Sequence, residues 1–465
     1  MLKYSKYTHV LEKDGTFAYY NSLRLTPVFV DKDSRELLDR FKSGAEPKEF
    51  LSGISDSGDR AFFRRILQAF LDQKILIENS AEDERELNFH LSKISRPYIH
   101  LAYFLLTDNC NFACKYCFVR EPMPDNQKSI RMTTETALKG LDIYARLIHT
   151  DEKLLEQEKA IIFYGGEPLM NFPVLAFTIE KIAEYKGLGK LPAHLKTLMV
   201  TNGSLMTEER ARFLKKHDVT VTFSLDGTAA HNAHRILRNG KPAYPQIVRG
   251  LRICQKFGLD INIACTLTPR NLAQPGETIK SFAEDYGVKR LGFNMLLDNN
   301  IMPVPEDYNK KASEFIIEAH KVFRKKGIRE NRINRKLNSF ERRQVYLYDC
   351  MAAGGRQMAI HPEGKIGICH EHLWDRQHFI SDVDDPDFDP AGNEIYLEWS
   401  KRTPLNMEKC RDCIALGICG GGCLVNAEHR GSIWQTDERL CEQSKTLLEW
   451  MIWESRQENI RQQPA

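Results

Sequence analysis

Runs of apolar residues recur through the middle of the chain, and each is followed by a polar, glycine-rich turn. Six such runs between about residues 98 and 300 are rich in β-branched and aromatic residues, as in KAIIFYGG and VTVTFSLDG. Segments with helical spacing, such as TETALKGLDIYARLI, separate them. This alternation predicts a parallel sheet with helices packed outside. Six units are fewer than a closed barrel needs, so we expect an α/β fold built on a partial (β/α)6 TIM-like barrel over residues 96–305.

The pattern changes on both sides of the predicted barrel. Residues 1–95 combine β-rich runs with two helical patterns, which favours a small winged-helix-like α+β domain ending in a polar linker at 79–91. Residues 306–345 are predicted to be a charged helical bridge. Residues 346–450 are cysteine-rich and rich in turns, so metal rather than a large core is expected to organise them. Residues 451–465 are expected to be a frayed tail.

The charge and length of the chain mainly exclude classes of function. A chain of 465 residues is expected to form two or three domains. Its 66 basic and 63 acidic residues nearly cancel, which gives no signal for nucleic acid or a membrane surface. No apolar run approaches the roughly 18–20 residues that cross a bilayer, and no apolar secretion signal opens the chain. We therefore expect a cytoplasmic protein with no nucleic-acid or membrane partner.

Ten of the twelve cysteines fall into three spaced groups, and Cys254 and Cys265 stand alone as expected core residues. Clustered cysteines in a large chain of this kind indicate metal ligands rather than disulfides. The first group is Cys110, Cys114 and Cys117, directly after the first barrel strand. Three thiolates on one loop can hold a cubane iron–sulfur cluster and leave one iron open to a small molecule. Structural zinc is the alternative, although it favours a fourth ligand that is missing nearby.

The first group carries a family resemblance. The spacing C-x3-C-x2-C, with Tyr116 before the third cysteine, resembles the signature of radical S-adenosylmethionine (SAM) enzymes. The turns GGEP, TNGS and SLDG after later strands resemble further motifs of that family. The resemblance implies a [4Fe–4S] cluster that binds SAM and cleaves it reductively to a 5′-deoxyadenosyl radical. The implied SAM contacts are Tyr116 at the adenine, Gly165 and Gly166 beside the methionine moiety, Glu167 at its ammonium, Ser224 at the ribose and Arg235 at the carboxylate; Asp226 is either a further contact or a turn residue.

The remaining cysteines resemble the SPASM domain that follows the barrel in many such enzymes. The resemblance implies two auxiliary [4Fe–4S] clusters, and thus three clusters in the chain. The inner cluster is one ligand short, because Gln344 stands where some relatives have a cysteine. The inner cluster is then expected to have either an open iron, to which a substrate thiolate or a water binds, or a non-cysteine ligand. By position, the implied ligands are Cys410, Cys413, Cys419 and Cys441 for the outer cluster and Cys350, Cys369 and Cys423 for the inner one.

The function follows from the resemblance as an expectation. SPASM enzymes mostly modify peptides, and the N-terminal domain is similar to those that recognise the leader of ribosomally made and post-translationally modified peptides (RiPPs). The expected activity is a RiPP maturase that forms a thioether. The expected partners are a precursor peptide with a leader segment and a flavodoxin, ferredoxin or reductase that donates electrons. His370 and Glu371 are the candidate acid–base groups, with a structural role as the competing interpretation.

Several alternatives remain open. Carbon–carbon cross-linking of a peptide needs the same radical. Anaerobic sulfatase maturation is disfavoured because those relatives have a cysteine in place of Gln344 and an acidic base in place of His370. A ferredoxin-like electron carrier has no use for the SAM-type motifs, and a zinc-stabilised binding protein would hold zinc instead of iron.

Overall fold

The computed structural model describes residues 1–117, 129–150, 152–297, 302–373, 375 and 377–462. The N-terminal region builds a three-stranded antiparallel sheet, β2–β3–β4, and a short pair of β1 with β5. The 79–91 stretch, predicted as a linker, is mostly helix. The elements are β1 (Lys3–Tyr4), β2 (Thr8–Lys13), β3 (Thr16–Asn21), β4 (Pro27–Asp31), α1 (Lys32–Leu38), α2 (Pro47–Ser52), α3 (Ser57–Asp72), β5 (Leu76–Ile77) and α4 (Ala81–Leu91).

Strand β3 joins the N-terminal region to the rest of the chain. All six of its residues are buried, since each face of the strand covers a different core. Phe17 and Tyr19 pack in the core of the N-terminal region, whereas Ala18 and Tyr20 pack into the main core. Alternate side chains of a strand point to opposite faces, so one strand serves both cores. The N-terminal region is therefore firmly docked rather than loosely tethered.

The six predicted barrel strands are present and pair in chain order, all in parallel. The partial-barrel prediction is confirmed. Along each strand fully buried residues alternate with half-buried ones, and the half-buried face, which includes Tyr103 and Ser224, carries the site described below. The strands are β6 (Leu101–Leu105), β7 (Ala160–Tyr164), β8 (Lys196–Thr201), β9 (Thr220–Ser224), β10 (Ile261–Leu267) and β11 (Arg290–Met295).

Helices separate these strands along the chain, and their apolar faces bury the outer face of the sheet. A short strand, β12 (Arg329–Glu330), extends the sheet beyond β11. Helices α12 (Tyr308–Lys325) and α13 (Asn331–Glu341) occupy the segment that leads to the cysteine-rich region. The others are α5 (Thr134–Ile148), α6 (Glu152–Leu155), α7 (Phe172–Gly187), α8 (Glu208–Lys216), α9 (Tyr244–Lys256), α10 (Pro269–Ala273) and α11 (Pro275–Lys280).

The cysteine-rich region differs from its prediction, because it shares the core of the barrel. Its strand β13 (Gln357–Ile360) pairs in parallel with β6, and β14 (Lys365–Gly367) and β15 (Phe379–Asp382) continue the sheet. Pairing satisfies the otherwise open edge of β6. Buried Tyr396 and Trp399 join the main core. The remaining helices are α14 (Glu394–Lys401), α15 (Leu416–Cys419), α16 (Leu424–Glu428) and α17 (Glu438–Gln462).

The predicted C-terminal tail is also different. Helix α17 continues to Gln462, and its residues Met451, Ile452 and Trp453 are buried in the main core. The spacing of these apolar residues was overlooked because charged and amide residues dominate the end of the sequence. Residues 463–465 lie outside the described residues. Within the part of the chain that the structure describes, no helix is both long and apolar enough to cross a membrane.

Candidate active site and cysteine clusters

Cys110, Cys114 and Cys117, here called the triad, lie on the loop after β6. Burial raises the pKa of Cys110 and Cys114, the latter to about 12, and the neighbouring thiols add to the effect. None of the twelve cysteines forms a disulfide. Thiols this buried become thiolates when a metal replaces the proton. The triad can therefore hold a metal cluster.

A second loop holds the triad loop in place. The Ala113 N–H donates to the Ile236 carbonyl at 2.7 Å, and the Lys115 N–H donates to the His234 carbonyl at 3.0 Å. The Arg238 Nε donates to the Cys110 carbonyl at 2.7 Å. These bonds bring the loop after β9, which contains Arg235, directly against the cysteines.

The glycines of GGEP permit a close approach between two loops. The Gly166 N–H donates to the Thr107 carbonyl at 2.7 Å, and a Cβ on Gly166 would lie 2.1 Å from the Asn109 carbonyl oxygen. A Cβ on Gly165 would lie 2.3 Å from the Thr107 oxygen, and Gly165 also has a φ of +132°. Glycine is thus required here by the backbone that leads into the triad.

Asp226 organises the end of β9. Its carboxylate accepts Arg235 Nε at 2.8 Å, Arg235 Nη2 at 2.9 Å and the Thr266 N–H at 2.9 Å. The Tyr116 hydroxyl donates to the same carboxylate. Asp226 is therefore a buried anchor rather than a simple turn residue. Arg235 was expected to bind the SAM carboxylate. In the structure, its Nε and Nη2 groups already donate to Asp226.

Glu167 is likewise held by the protein. Its carboxylate accepts the Thr201 hydroxyl at 2.6 Å, the Asn202 N–H at 2.8 Å and the Leu169 N–H at 3.1 Å. Complete burial outweighs these bonds and raises its pKa to about 7. Asn202 also directs its amide toward Cys110 Sγ at 3.7 Å. The structure thus places Glu167 beneath the triad, where it positions Asn202.

The seven later cysteines separate in space as four and three. The Cys410, Cys419 and Cys441 thiols interact electrostatically, as do Cys413 and Cys419. Those of Cys350, Cys369 and Cys423 form another mutually close set. The two sets, here called the outer and inner thiols, correspond to the predicted groups. In the inner set, the Cys423 thiol lies 4.0 Å from a carboxylate oxygen of Glu371.

Arg402 is buried close to both sets of thiols and was not among the predicted site residues. Its surroundings indicate whether these thiols suit an anionic cluster. Its guanidinium donates to the carbonyls of Ile433, Gly421 and Gln435. Its charge lies near the thiols of both sets. A buried guanidinium is unfavourable without anions nearby, and ligated thiolates would add to the Asp437 carboxylate in providing them. The residues present therefore fit iron–sulfur clusters, although no local sequence pattern marks Arg402.

Aromatic residues fill the region between the triad and the inner thiols. The His370 ring stacks on Tyr103 with centroids 4.1 Å apart and meets Tyr164 edge-on at 5.0 Å. The Tyr164 hydroxyl interacts electrostatically with both Cys117 and Glu371. Burial lowers the pKa of His370 to about 4 and raises that of Glu371. His370 is thus a neutral stacking group, and the two tyrosines, at half-buried barrel positions, were missed.

The comparisons with known proteins agree with this geometry. Residues 104–286 match the model of the Radical SAM superfamily. The chain is 26% identical to the radical SAM cyclopropyl synthase TigE of Paramaledivibacter caminithermalis, over 98% of this chain and 96% of that protein.

Two solved structures share the fold. Native anSMEcpe with bound AdoMet has a TM-score of 0.62 at 20% identity, over 77% of this chain and 99% of that one. Streptococcus suis SuiB bound to the precursor peptide SuiA has a TM-score of 0.53 at 15% identity, over 95% of this chain and 100% of that one. Together with the triad and the strand-end motifs, the match assigns residues 104–286 to the Radical SAM superfamily.

Proposed function

We propose that this enzyme is a peptide maturase that abstracts a hydrogen atom from a ribosomally made precursor peptide. The observation that carries the proposal is the placement of Tyr103, Tyr164, His370 and Glu371 between the triad and the inner thiols. A peptide side chain entering there meets a radical source on one side and a second cluster on the other.

The proposed ligands follow the three thiol sets. The triad holds the [4Fe–4S] cluster that binds SAM, and the inner and outer thiols hold two auxiliary clusters, three in all. The triad cluster with SAM supplies a primary carbon radical, which takes a hydrogen atom. The auxiliary clusters accept the electron left on the product. Tyr116, Gly165, Gly166, Ser224 and Arg235 are the proposed SAM contacts, with Glu167 beneath them.

The N-terminal sheet is the proposed site for the leader of the peptide. Strands β2 and β4 are its two edges, and among the described residues each pairs only with β3. A peptide can add to such an edge as a further strand. SuiB, which shares this fold along its whole length, is bound to a precursor peptide. Hydrogen exchange of the holoenzyme with a precursor peptide tests this: protection is expected in residues 8–13 or 27–31, and protection confined to the barrel would refute it.

We propose a thioether as the bond formed. Three inner thiols leave one iron of a cubane without a cysteine, and a substrate thiolate can bind there. Forming the bond removes one hydrogen atom from carbon, and one proton and one electron from the thiol. The electron from the thiol leaves through the auxiliary clusters to the oxidised form of the protein that donated the electron for SAM cleavage, which in our proposal is a flavodoxin, ferredoxin or reductase.

Carbon–carbon bond formation is the second candidate. Two observations favour it: the similarity to a cyclopropyl synthase extends over nearly the whole chain, and Glu371 lies where it can occupy the free iron. Sulfatase maturation is a weaker candidate. Its acidic base is replaced by His370, which stacks on Tyr103.

Mass spectrometry of the reacted precursor peptide decides among these. The reconstituted enzyme, SAM and a reductant are incubated with the peptide encoded beside the gene. A mass loss of two hydrogens that consumes one alkylatable thiol supports a thioether, and the same loss with all thiols free supports a carbon–carbon bond. Formation of 5′-deoxyadenosine with no peptide product from any encoded neighbour would refute the maturase proposal.

A further inference from the structure

A compact set of two histidines and one glutamate lies beside the inner thiols, outside the site described above. The side-chain ligand atoms of His372, His378 and Glu428 all lie within 4.8 Å of one another. His378 Nε2 is 2.6 Å from Glu428 Oε1, and His372 Nε2 is 3.4 Å from Glu428 Oε2. We propose that these three side chains bind a single zinc ion, and that the site is separate from the iron–sulfur clusters.

The strongest support for a metal ion is a pair of buried polar atoms that face each other without a hydrogen bond. His372 Nε2 and Glu428 Oε2 are both buried without a hydrogen bond in the described structure, and the His372 side chain is only 3% exposed. Leaving two such polar atoms unpaired is costly. A cation between them satisfies both at once.

The other nitrogen of His372 is already arranged as in metal sites. His372 Nδ1 lies 3.1 Å from Asp375 Oδ1 and 3.2 Å from Oδ2, so it donates to that carboxylate. This bond fixes the tautomer that leaves Nε2 free as a ligand. A carboxylate behind a ligating histidine is a recurrent outer-shell feature of zinc sites.

Charge and ligand chemistry select the ion. Burial lowers the pKa of His372, but Asp375 and Glu428 outweigh this and raise it to about 9, so a proton on His372 balances one of the two carboxylates in the metal-free protein. A divalent cation that replaces this proton balances both. Imidazole and carboxylate together suit zinc, and zinc binds such ligands more tightly than ferrous iron does. The buried ring of Trp399 lies against both histidines, with centroids 6.3 Å from His372 and 5.3 Å from His378, and shields one side of the site.

The place of the site in the chain gives the ion a role. His372 follows the inner thiol Cys369 by one turn, and Glu428 ends α16, which begins directly after the inner thiol Cys423. An ion shared by these two segments ties together the parts of the chain that carry the inner thiols. The role is structural and does not depend on which peptide is modified.

The test is zinc binding by the holoenzyme with its clusters loaded, so that the cysteines are occupied. After chelation and dialysis against buffered free Zn²⁺, mass spectrometric metal analysis is expected to find one zinc per chain. X-ray absorption at the zinc edge is expected to show nitrogen and oxygen neighbours with imidazole scattering. Sulfur neighbours, or no retained zinc, would overturn the proposal and leave the set as a hydrogen-bonded network only.

Variants make the assignment specific. Glu428→Gln keeps the shape of the side chain and is expected to lower zinc affinity at least tenfold, and the more exposed His378→Ala provides a second test should the first variant fold poorly. His149→Ala and Glu318→Gln, on the surface elsewhere, are the matched controls and are expected to keep the zinc. Iron content measured in parallel shows whether the clusters persist. Equal zinc retention by all four variants with full iron would refute the site.

Discussion

The Asp226 carboxylate and the Arg235 guanidinium form a buried, two-point ion pair directly behind the triad loop, with bonds of 2.8 and 2.9 Å. The Asp226 side chain is 0% exposed and that of Arg235 8% exposed. Because Arg235 belongs to the loop that pairs with the triad loop, this pair fixes the position of the cysteines from behind. The end of the barrel that carries the triad is thus built on an internal charge pair.

Asp226→Asn is expected to destabilise the protein strongly. The substitution leaves the buried Arg235 charge without its counterion, which costs about 3–5 kcal/mol in comparable pairs. Thermal unfolding of the anaerobic protein should show a clear drop in midpoint. Asp260→Asn is the matched control, since the Asp260–Arg290 pair is exposed and should matter little. Equal midpoints for the two variants would contradict the anchoring role of Asp226.

Gly166→Ala is expected to abolish the triad cluster. The new Cβ would lie 2.1 Å from the Asn109 carbonyl oxygen, so the triad loop has to move away from β7. Iron analysis after reconstitution should then fall by about four per chain, with the auxiliary clusters retained. Gly187→Ala, where a Cβ meets nothing within 4 Å, is the control and should keep its iron. Full iron in Gly166→Ala would show that the loop approach is dispensable.

Cys114→Ala is expected to remove SAM cleavage altogether, because two thiols do not hold a site-differentiated cubane. No 5′-deoxyadenosine should form with dithionite, and the loss of iron should again be about four per chain. Cys254→Ala is the control, because the Cys254 thiol is fully buried in the apolar core. The iron content and SAM cleavage of this variant should match those of the wild type. Residual SAM cleavage by Cys114→Ala would place the reactive cluster elsewhere.

Glu371→Gln is expected to separate SAM cleavage from peptide modification. The carboxylate lies 4.0 Å from the Cys423 thiol and interacts electrostatically with the Tyr164 hydroxyl, within the proposed peptide site. Formation of 5′-deoxyadenosine should continue, while the yield of modified peptide per 5′-deoxyadenosine falls at least tenfold. Glu449→Gln, on the exposed side of α17, should leave that ratio unchanged. An unchanged ratio in Glu371→Gln would remove this residue from the peptide chemistry.

Ile452→Ala tests whether the C-terminal helix is part of the core. Ile452 is fully buried, so truncating it should cost about 2–5 kcal/mol and lower the thermal midpoint. Glu449→Ala, on the same helix but exposed, is the control and should unfold close to the wild type. If both variants unfold like the wild type, the end of α17 contributes no core packing.

Much of the barrel could be predicted from the sequence because strand and helix periods are local signals. The runs KAIIFYGG and VTVTFSLDG became β7 and β9, with their polar motifs at the strand ends. The cysteines were equally informative: their spacing defined three groups, and the resemblance to the SPASM domain implied which of the later seven are inner and which are outer thiols.

The predictions from the sequence were wrong where the periodic pattern of apolar residues was weak. The charged stretch 79–91 was predicted as a linker because its apolar residues are few, yet it forms α4. The cysteine-rich region was predicted to be organised by metal rather than by a large core, because it has few long periodic segments. In the structure its strands are only three or four residues long. Such strands have little period of their own and depend on an existing sheet edge.

The sequence by itself determined the kinds of elements in the barrel, the order of its six strands and the three groups of cysteines. These follow from periodicity and spacing, which are properties of neighbouring residues. Only the tertiary structure decided that β13 completes the edge of β6, that Asp226 rather than solvent or ligand receives the Nε edge of Arg235, and that His372, His378 and Glu428 converge. Those relationships depend on how segments that are distant in the sequence pack against each other. Local sequence does not indicate which partner a buried charge pairs with.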